Sequence, residues 1–363
     1  MAEVERVRVL VLFGGRSSEH SISCLSAGGV IRALDPERYD VMAVGVLPDG
    51  RWVRVPANPD AMTSTAAGEL PTVIDTGESV VLVPEPMGAV ATSGAIRDID
   101  VVFPVLHGPW GEDGTLQGLL EMAGTPYVGS GVFASSAAMD KGHMKAMLAG
   151  AGLPTGPCTV VTSAQWESDP DEVRRRVAGL SYPVFVKPAR AGSSVGISKV
   201  SAPDDLDGAI ERAQVWDPRL IVEAAILGAR EIECGVIVDE SGVPRATRCA
   251  EIVVRGDHEF YDFDAKYIDD AAELIVPADL PLEVEEEIRR LAIAAFEALG
   301  CEGLARVDFF VVPEGVIVNE VNTMPGFTPI SLFPRMCAAS GMDYAQVIDL
   351  LIADALRRGT GLR

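Results

Sequence analysis

The stretch Arg306-Val-Asp308-Phe-Phe-Val-Val-Pro313-Glu314-Gly315-Val-Ile-Val-Asn319-Glu320-Val-Asn322 constrains this chain most, because read as a hairpin it makes two carboxylates face each other. Pro313, Glu314 and Gly315 are turn residues between two runs rich in β-branched and aromatic side chains. A turn centred near Glu314 pairs Asp308 with Glu320 and Arg306 with Asn322. Strand side chains alternate with period two, so all four share one face. Opposed carboxylates lie roughly 5 Å apart and repel unless something positive stands between them. A hard cation such as Mg²⁺ suits the oxygen donors offered, with Asn322 as a neutral third ligand. The plainer alternative is a solvated acidic hairpin; the apolar residues interleaved with the polar ones favour a half-buried sheet.

A chain of 363 residues has room for two or three domains, each with its own core. Hydrophobic residues make up 48%, an ordinary globular share, and no apolar run reaches the length of a membrane span. The charged start, Met1-Ala-Glu-Val-Glu-Arg6, leads straight into a strand, so no signal peptide and a cytoplasmic location are expected. A formal charge of −23 repels nucleic acid and anionic lipid. Any anionic ligand must therefore be held by a local cluster of Lys, Arg and backbone N–H groups. The cysteines at 24, 158, 234, 249, 301 and 337 form no C-x-x-C pair and read as small core residues in a reducing compartment. The histidines lack zinc-ligand spacing.

Val7 to Phe13 is a continuous apolar run ending at Gly14-Gly15, and a helix is expected from about Ser21 to Leu34. The pattern repeats where Val101 to Leu106 meets a glycine-rich loop and a helix from Thr115 to Ala123, which predicts an α/β unit. Residues 56 to 99 read as a peripheral hairpin or insertion, with a short strand at Val80 to Val83. A second unit is expected to open with a helix at Lys141 to Ala151, followed by strands at Cys158 to Val161 and Val184 to Lys187 around a helix at Pro170 to Ala178. The third carries strands at Glu231 to Val238 and Arg248 to Val254, a polar excursion from Gly256 to Leu274, an acidic amphipathic helix at Leu282 to Leu299, and the hairpin. The fold class is α/β, becoming α+β in the C-terminal half.

Several segments could carry chemistry. Val186-Lys187-Pro-Ala-Arg190-Ala-Gly192-Ser193-Ser194-Val-Gly196 delivers a lysine from a buried strand into a small-residue loop, where backbone N–H groups and serine hydroxyls suit a polyphosphate. Lys187 and Arg190 would supply the positive charge, and no G-x-x-x-x-G-K-[ST] occurs, so this is not a P-loop. Lys141 opens a helix, which is unfavourable against the helix dipole unless an anion is near. His107-Gly-Pro-Trp110-Gly-Glu112-Asp113-Gly-Thr115 ends a strand where α/β sheets commonly bind ligands, although Asp113 or Thr115 could equally cap the helix. Gly14-Gly-Arg16-Ser-Ser-Glu19-His20 is only loosely like a dinucleotide loop. Glu259-Phe-Tyr261-Asp262-Phe-Asp264-Ala-Lys266-Tyr267 mixes aromatics and charges as a lid does.

In this order the motifs resemble those of the D-alanine–D-alanine ligases, ATP-grasp carboxylate–amine ligases. The residues that carry the likeness are Glu19-His-Ser-Ile-Ser, His107-Gly-Pro-Trp-Gly-Glu-Asp-Gly, Val186-Lys-Pro with Gly192-Ser-Ser-Val-Gly, Ala265-Lys-Tyr, Arg306-Val-Asp, and Asn319-Glu-Val-Asn-Thr-Met-Pro-Gly-Phe-Thr. The resemblance implies a three-domain ATP-grasp architecture: a Rossmann-like substrate-binding domain at 1–138, a small central domain at 139–226, and a C-terminal domain at 227–363 with a lid at about 257–274 and a metal-binding hairpin at 305–322.

It further implies Lys141, Lys187, Ser194 and Lys266 on the phosphates of ATP, Glu223 near adenine and Glu231 near ribose. Asp308, Glu320 and Asn322 would hold a pair of Mg²⁺ or Mn²⁺ ions. Glu19 would take the ammonium of the first D-alanine, with a network through Ser193 and Tyr267 and with His107 beside the substrate. Arg306 and the Gly326 N–H would form an oxyanion hole, and Ser331 with Leu332 would receive the second carboxylate. The family also suggests a homodimer. Its implied reaction makes D-alanyl-D-alanine for peptidoglycan precursors through a D-alanyl phosphate, releasing ADP and phosphate.

Departures from the family pattern are Ala191 where many relatives carry Glu, Ala224-Ala225 in place of a pair often charged and aromatic, and Ala229 as a one-residue insertion before Glu231. Relatives that use D-lactate typically replace the lid Lys-Tyr pair with a histidine, so Lys266-Tyr267 favours the dipeptide over a D-lactate or D-serine product. A nicotinamide-dependent dehydrogenase would need a G-x-G-x-x-G turn that is absent, and a nucleotide sensor leaves the second-substrate residues unused.

Overall fold

Strand β1 (Val7–Gly14) is apolar without alternation because both its faces are covered: Val9 to Phe13 are all buried. It pairs in parallel with β2 (Tyr39–Val46) on one side and, across a long connection, with β7 (Val101–Pro104) on the other. β3 (Trp52–Val55) closes the edge antiparallel, giving the order β3-β2-β1-β7. Helix α1 (His20–Ala33) follows β1 through Gly14, whose φ of +90° suits glycine. There the Gly14 N–H donates to Ser23 Oγ at 2.8 Å, and that hydroxyl donates to the Val105 carbonyl at 2.6 Å, binding α1 to the ends of β1 and β7. The expected insertion holds a small sheet, β4 (Val80–Leu82), β5 (Ala89–Ala91) and β6 (Gly94–Ala95). This computed structural model describes residues 6–64, 68–82, 89–91, 94–95, 99–192, 195–254 and 272–361.

After α2 (Thr115–Met122) and α3 (Val132–Met139), helix α4 (Lys141–Gly150) starts at Asp140, whose Oδ1 accepts from the Gly142 and His143 N–H groups. The central sheet is antiparallel, in the order β10-β9-β11-β8: β8 (Cys158–Thr162), β9 (Val184–Pro188), β10 (Ser198–Val200) and β11 (Arg219–Ala224). α5 (Ser163–Ser168) follows β8, and α6 (Pro170–Ala178) and α7 (Leu206–Gln214) bury Val173, Val177, Leu206 and Ile210 against the sheet residues Val161, Val184, Val186 and Val222.

The C-terminal sheet, β14-β13-β12-β15-β16, is likewise antiparallel. Its strands are β12 (Arg230–Val238), β13 (Pro244–Val254), β14 (Ala272–Ile275), β15 (Leu304–Val312) and β16 (Gly315–Asn322). Helix α8 (Leu282–Ala298) buries Ile288, Leu291, Ala295 and Phe296 against it. The last helices, α9 (Leu332–Ala339) and α10 (Tyr344–Arg358), join Phe333, Cys337, Ile348 and Leu351 to one core with Val9, Val11 and Phe103 of the N-terminal sheet. Among the described residues no helix is long and apolar enough to cross a membrane.

The hairpin of β15 and β16 pairs Asp308 with Glu320 and Arg306 with Asn322, as expected, but by another route. Val312 pairs with Gly315, so the turn is only Pro313-Glu314, and that register alone would set Asp308 opposite Asn319. The ladder instead shifts between Asp308 and Phe309: Phe309 pairs with Val318, and Asn319 is the extra residue of a bulge.

Candidate functional site

A cavity of about 1020 Å³ lies where the three sheets meet. Its floor is the face of β12, β15 and β16 that carries Glu231 and Glu233, Arg306 and Asp308, and Glu320 and Asn322. Strand β9 brings Lys187 to it, α4 brings Lys141 and Lys145, and the start of α1 brings Glu19. The turn from Thr323 to Ser331, with Gly326, and the first residue of α9, Leu332, complete the wall.

On the floor the carboxylates already have positive neighbours. Arg306 donates to Asp308 through Nε (2.7 Å) and Nη2 (2.8 Å), and its Nε lies 3.2 Å from Glu233 Oε2. Lys141 Nζ lies 3.7 Å from Glu320 Oε2 and donates to the Ala191 carbonyl at 2.9 Å. This meets the sequence argument that Lys141, at a helix start, needs an anion near it. Burial disfavours charge on Arg306, yet Asp308 and Glu233 outweigh it and hold the guanidinium firmly protonated.

The oxygen donors of Asp308 and Glu320, side by side at paired positions, suit a hard divalent cation. Among the described residues no three or more His, Cys, Asp and Glu side chains form a metal-holding group; the Asn322 amide stands beside Asp308 as a further oxygen donor. That amide now donates from Nδ2 to Asp308 Oδ2 at 3.1 Å; presenting its oxygen requires turning the amide over.

Toward the central sheet, Glu223 at the end of β11 is clamped by Lys187 Nζ at 2.6 Å and Lys145 Nζ at 2.9 Å. Burial would raise its pKa, but the two ammonium groups outweigh that and hold the carboxyl far below the usual carboxylate range. Burial likewise opposes charge on Lys187, and Glu223 more than restores it. Arg190, expected to share the phosphate-binding role, is instead turned onto Asp217, with Nη2 at 2.6 Å and Nε at 3.0 Å from its carboxylate.

At the N-terminal end, Oε2 of Glu19 lies 3.1 Å from where a Cβ would stand on Gly108 and equally far from one on Gly192, so two loops close on this carboxylate because both residues lack side chains. His107 is buried, with Nδ1 3.2 Å from the Met324 carbonyl and Nε2 3.3 Å from Ser26 Oγ. The carbonyl can only accept, so Nδ1 carries the proton; burial lowers the imidazole pKa and keeps the ring neutral. Glu112 accepts from the Gly108 N–H at 2.6 Å, and its pKa is pushed up to about 8, first by burial and then by the charge of Glu19. Gly114 stands at the N-cap without a side-chain cap, and Asp113 before it accepts from the Trp110 and Thr115 N–H groups, fastening the turn that leads into the helix.

Ser331 Oγ accepts from the Thr328 N–H at 3.1 Å. Of the expected site residues, Glu19, His107, Lys141, Lys187, Glu223, Glu231, Arg306, Asp308, Glu320, Asn322, Gly326, Ser331 and Leu332 all line the cavity. Ala191, Ala224, Ala225 and Ala229 line it too. Ser193, Ser194, Lys266 and Tyr267 lie outside the described residues, as does most of the expected lid. Lys145 and Glu233 are not among the expected site residues, and Glu112 stands in the expected motif without a role assigned to it. Lys145 could have been found from its spacing, since it stands one turn after Lys141 on the same helix face.

The chain is similar to known proteins along nearly its whole length. Residues 8–130 match the family model for the D-ala D-ala ligase N-terminus, and residues 147–353 that for the C-terminus. A D-alanine–D-alanine ligase of Mycobacterium avium (strain 104) is 51% identical over 373 aligned residues, covering 99% of each chain. One from Arthrobacter sp. (strain FB24) is 52% identical, covering 98% of this chain and 96% of its own. Among solved structures, the D-alanine-D-alanine ligase from Coxiella burnetii superposes with a TM-score of 0.81 at 32% identity, covering 98% of this chain and 95% of its own. VanG D-Ala:D-Ser ligase from Enterococcus faecalis superposes with a TM-score of 0.84 at 34% identity, covering 97% of this chain and all of its own. With both halves matched by the family's models and relatives about half identical from end to end, the chain belongs to the D-alanine–D-alanine ligase family, with its ATP-grasp fold.

Proposed function

We propose that this chain joins two D-alanine molecules into D-alanyl-D-alanine at the expense of ATP, releasing ADP and phosphate, in the supply of peptidoglycan precursors. The observation that carries the reading is that one cavity is lined by the Glu19 carboxylate, by the cations Lys141 and Lys187, and by the Asp308–Glu320 pair. A carboxylate is a poor electrophile, and ATP makes it reactive as an acyl phosphate. In this reading Glu19 holds the first D-alanine by its ammonium with His107 beside it, while Lys141, Lys187, Ser194 and Lys266 lie along the phosphates. Phosphoryl transfer calls chiefly for positioning and charge neutralisation, which these lysines provide. Glu231 accepts from the ribose, and Glu223 stands near the adenine while holding Lys187 charged.

The amine of the second D-alanine then attacks the acyl carbon, its own carboxylate held by Ser331 and Leu332. Arg306 and the Gly326 N–H stabilise the oxyanion that develops. Asp308, Glu320 and Asn322 would hold Mg²⁺ or Mn²⁺, which supplies neutralisation of phosphate charge. Water would destroy the acyl phosphate, so closure over the site, with Ser193 and Tyr267 in the network, belongs to the same proposal. So do the division at residues 138 and 226, a cytoplasmic location and a homodimer.

Phosphate release from Mg·ATP tests the function with D-alanine, L-alanine, D-alanine plus D-serine, or D-alanine plus D-lactate, products being identified by mass. Release tied to D-alanine with D-alanyl-D-alanine as product is expected. A condensed product only in a mixed reaction would move the second substrate to D-serine or D-lactate, and no release in any mixture would overturn the reading.

A further inference from the structure

Across β12, β15 and β16 three carboxylates stand in one row: Glu233 pairs with Asp308, and Asp308 pairs with Glu320. Like charges directly opposite one another on a sheet are destabilising. Exposure falls along the row, with side chains 28% exposed at Glu320, 19% at Asp308 and 7% at Glu233. All three line the cavity, and the inner member is the most shielded of them.

Arg306 sits one rung along and answers two members at once. It binds Asp308 in a two-pronged contact at 2.7 and 2.8 Å and approaches Glu233 at 3.2 Å. This creates a conflict within the proposed reaction. The contact that now neutralises Asp308 engages both of its oxygens, so a divalent cation drawn to the same carboxylate brings a second positive charge beside the guanidinium, which has another task at the oxyanion. When the cation takes Asp308, that contact is weakened by the added positive charge, and Arg306 has still to remain buried, charged and in place. A buried cation that loses its partner is strongly unfavourable unless another anion holds it.

We infer that Glu233 is the positioning residue that retains Arg306 when Asp308 passes to the metal. It is near enough to bind the guanidinium and buried enough for its charge to be little screened, which fits a counter-ion to Arg306. Arg306 is thus shared between an outer carboxylate whose charge it would divide with the metal and an inner one that it keeps. This rests on the metal and oxyanion roles proposed above.

The test is a titration of Mn²⁺ in the presence of ADP, without amino acid, following free Mn²⁺ by electron paramagnetic resonance. In Glu233→Gln the guanidinium has only Asp308 of this pair to lean on and competes harder with the cation, so half-saturation should rise about tenfold, the scale of one charge-assisted hydrogen bond. Glu233→Asp, which keeps the charge, should return it to within about threefold of the parent protein; a purely packing role would not be rescued in this way. Unchanged Mn²⁺ binding in Glu233→Gln, or a loss in Glu233→Asp as large as that in Glu233→Gln, would overturn the inference. Should Glu233→Gln fail to fold, the Glu233→Ser variant, small enough to admit water beside Arg306, carries the same expectations. Because the titration needs no D-alanine, a failure here is separate from a failure of D-alanine-dependent phosphate release in the parent protein.

Discussion

Glu223 shows why a buried carboxylate at a strand end can be structural and functional at once. Two ammonium groups at 2.6 and 2.9 Å hold it ionised, and it in turn keeps Lys187 charged toward the cavity. Replacing it by Gln leaves two buried lysines without their counter-charge, a loss of about 3 kcal/mol or more by the general cost of breaking a buried pair. Urea unfolding at neutral pH checks this; a change below about 1 kcal/mol would show that water already shields the lysines. Glu112 behaves in the opposite sense. Its carboxyl pKa rises from an ordinary 4.5 to about 8 on folding, so between those values the folded state holds a proton that the unfolded chain has released. Its contribution to stability is thus full below pH 4.5 and is lost as pH rises toward 8. Unfolding curves taken through this window should show a decline that Glu112→Gln flattens, and parallel curves for the two proteins would refute it. Glu19, Lys187, Arg306 and Asp308 were legible in the sequence because each sits in a short local pattern. Glu233 was not, because its importance lies in partners brought together by sheet pairing, whereas Lys145 left a helical spacing from Lys141 unused and Glu112 stood in a motif without a role of its own.

At the scale of elements, strand and helix positions were read well wherever an apolar run or period was strong, as for β1, β9, α6 and α8. α10 went unread although its capping box, Asp343 with Gln346, is a local signal. The hairpin is more instructive. Its pairing was anticipated from a turn about Glu314, yet the protein reaches it with a tighter turn and a bulge at Asn319, two departures that cancel. Bulges leave little trace in a hydrophobic pattern, which is why the route was hidden. The bulge makes a sharp prediction. Inserting one alanine between Asn319 and Glu320, with the bulge kept, sets the new residue opposite Asp308 and slips Glu320 and Asn322 by one residue, moving their side chains to the other face of the sheet. Phosphate release should fall by about a hundredfold or more, on the scale of losing one electrostatic stabiliser, with the circular dichroism spectrum retained. Folded protein with activity within about threefold of the parent would show that the register is not what aligns these ligands.

The N- and C-terminal sheets are mechanically one body, because β1, β7, α9 and α10 share a core. Val9, Val11 and Phe103 are buried with Phe327, Phe333, Ile348 and Leu351, and the Phe103 and Phe327 rings lie 5.8 Å apart. Tyr39 adds a hydrogen bond from its hydroxyl to Asp349 at 2.7 Å, and burial followed by that bond pushes its own pKa well above the ordinary range. The central sheet differs: its buried residues, from Val161 to Val222, form a core of their own with α6 and α7. The cavity therefore has a wall carrying Lys187 that can be perturbed apart from the floor and the Glu19 end, which move together. Leu351→Ala tests this coupling. Leu351 is 1% exposed, and truncating such a side chain costs about 2–5 kcal/mol. Amide hydrogen exchange should then speed up in β1 and β7 together with α10, although those strands are distant from Leu351 in sequence. The amides of β9 and β11 should change far less if the central sheet opens as a separate unit. Loss of protection in α10 alone, with β1 and β7 unchanged, would mean that the shared core is a contact between independent bodies. The position of Glu19 relative to Arg306 would then have to be set by the ligand and not by the fold.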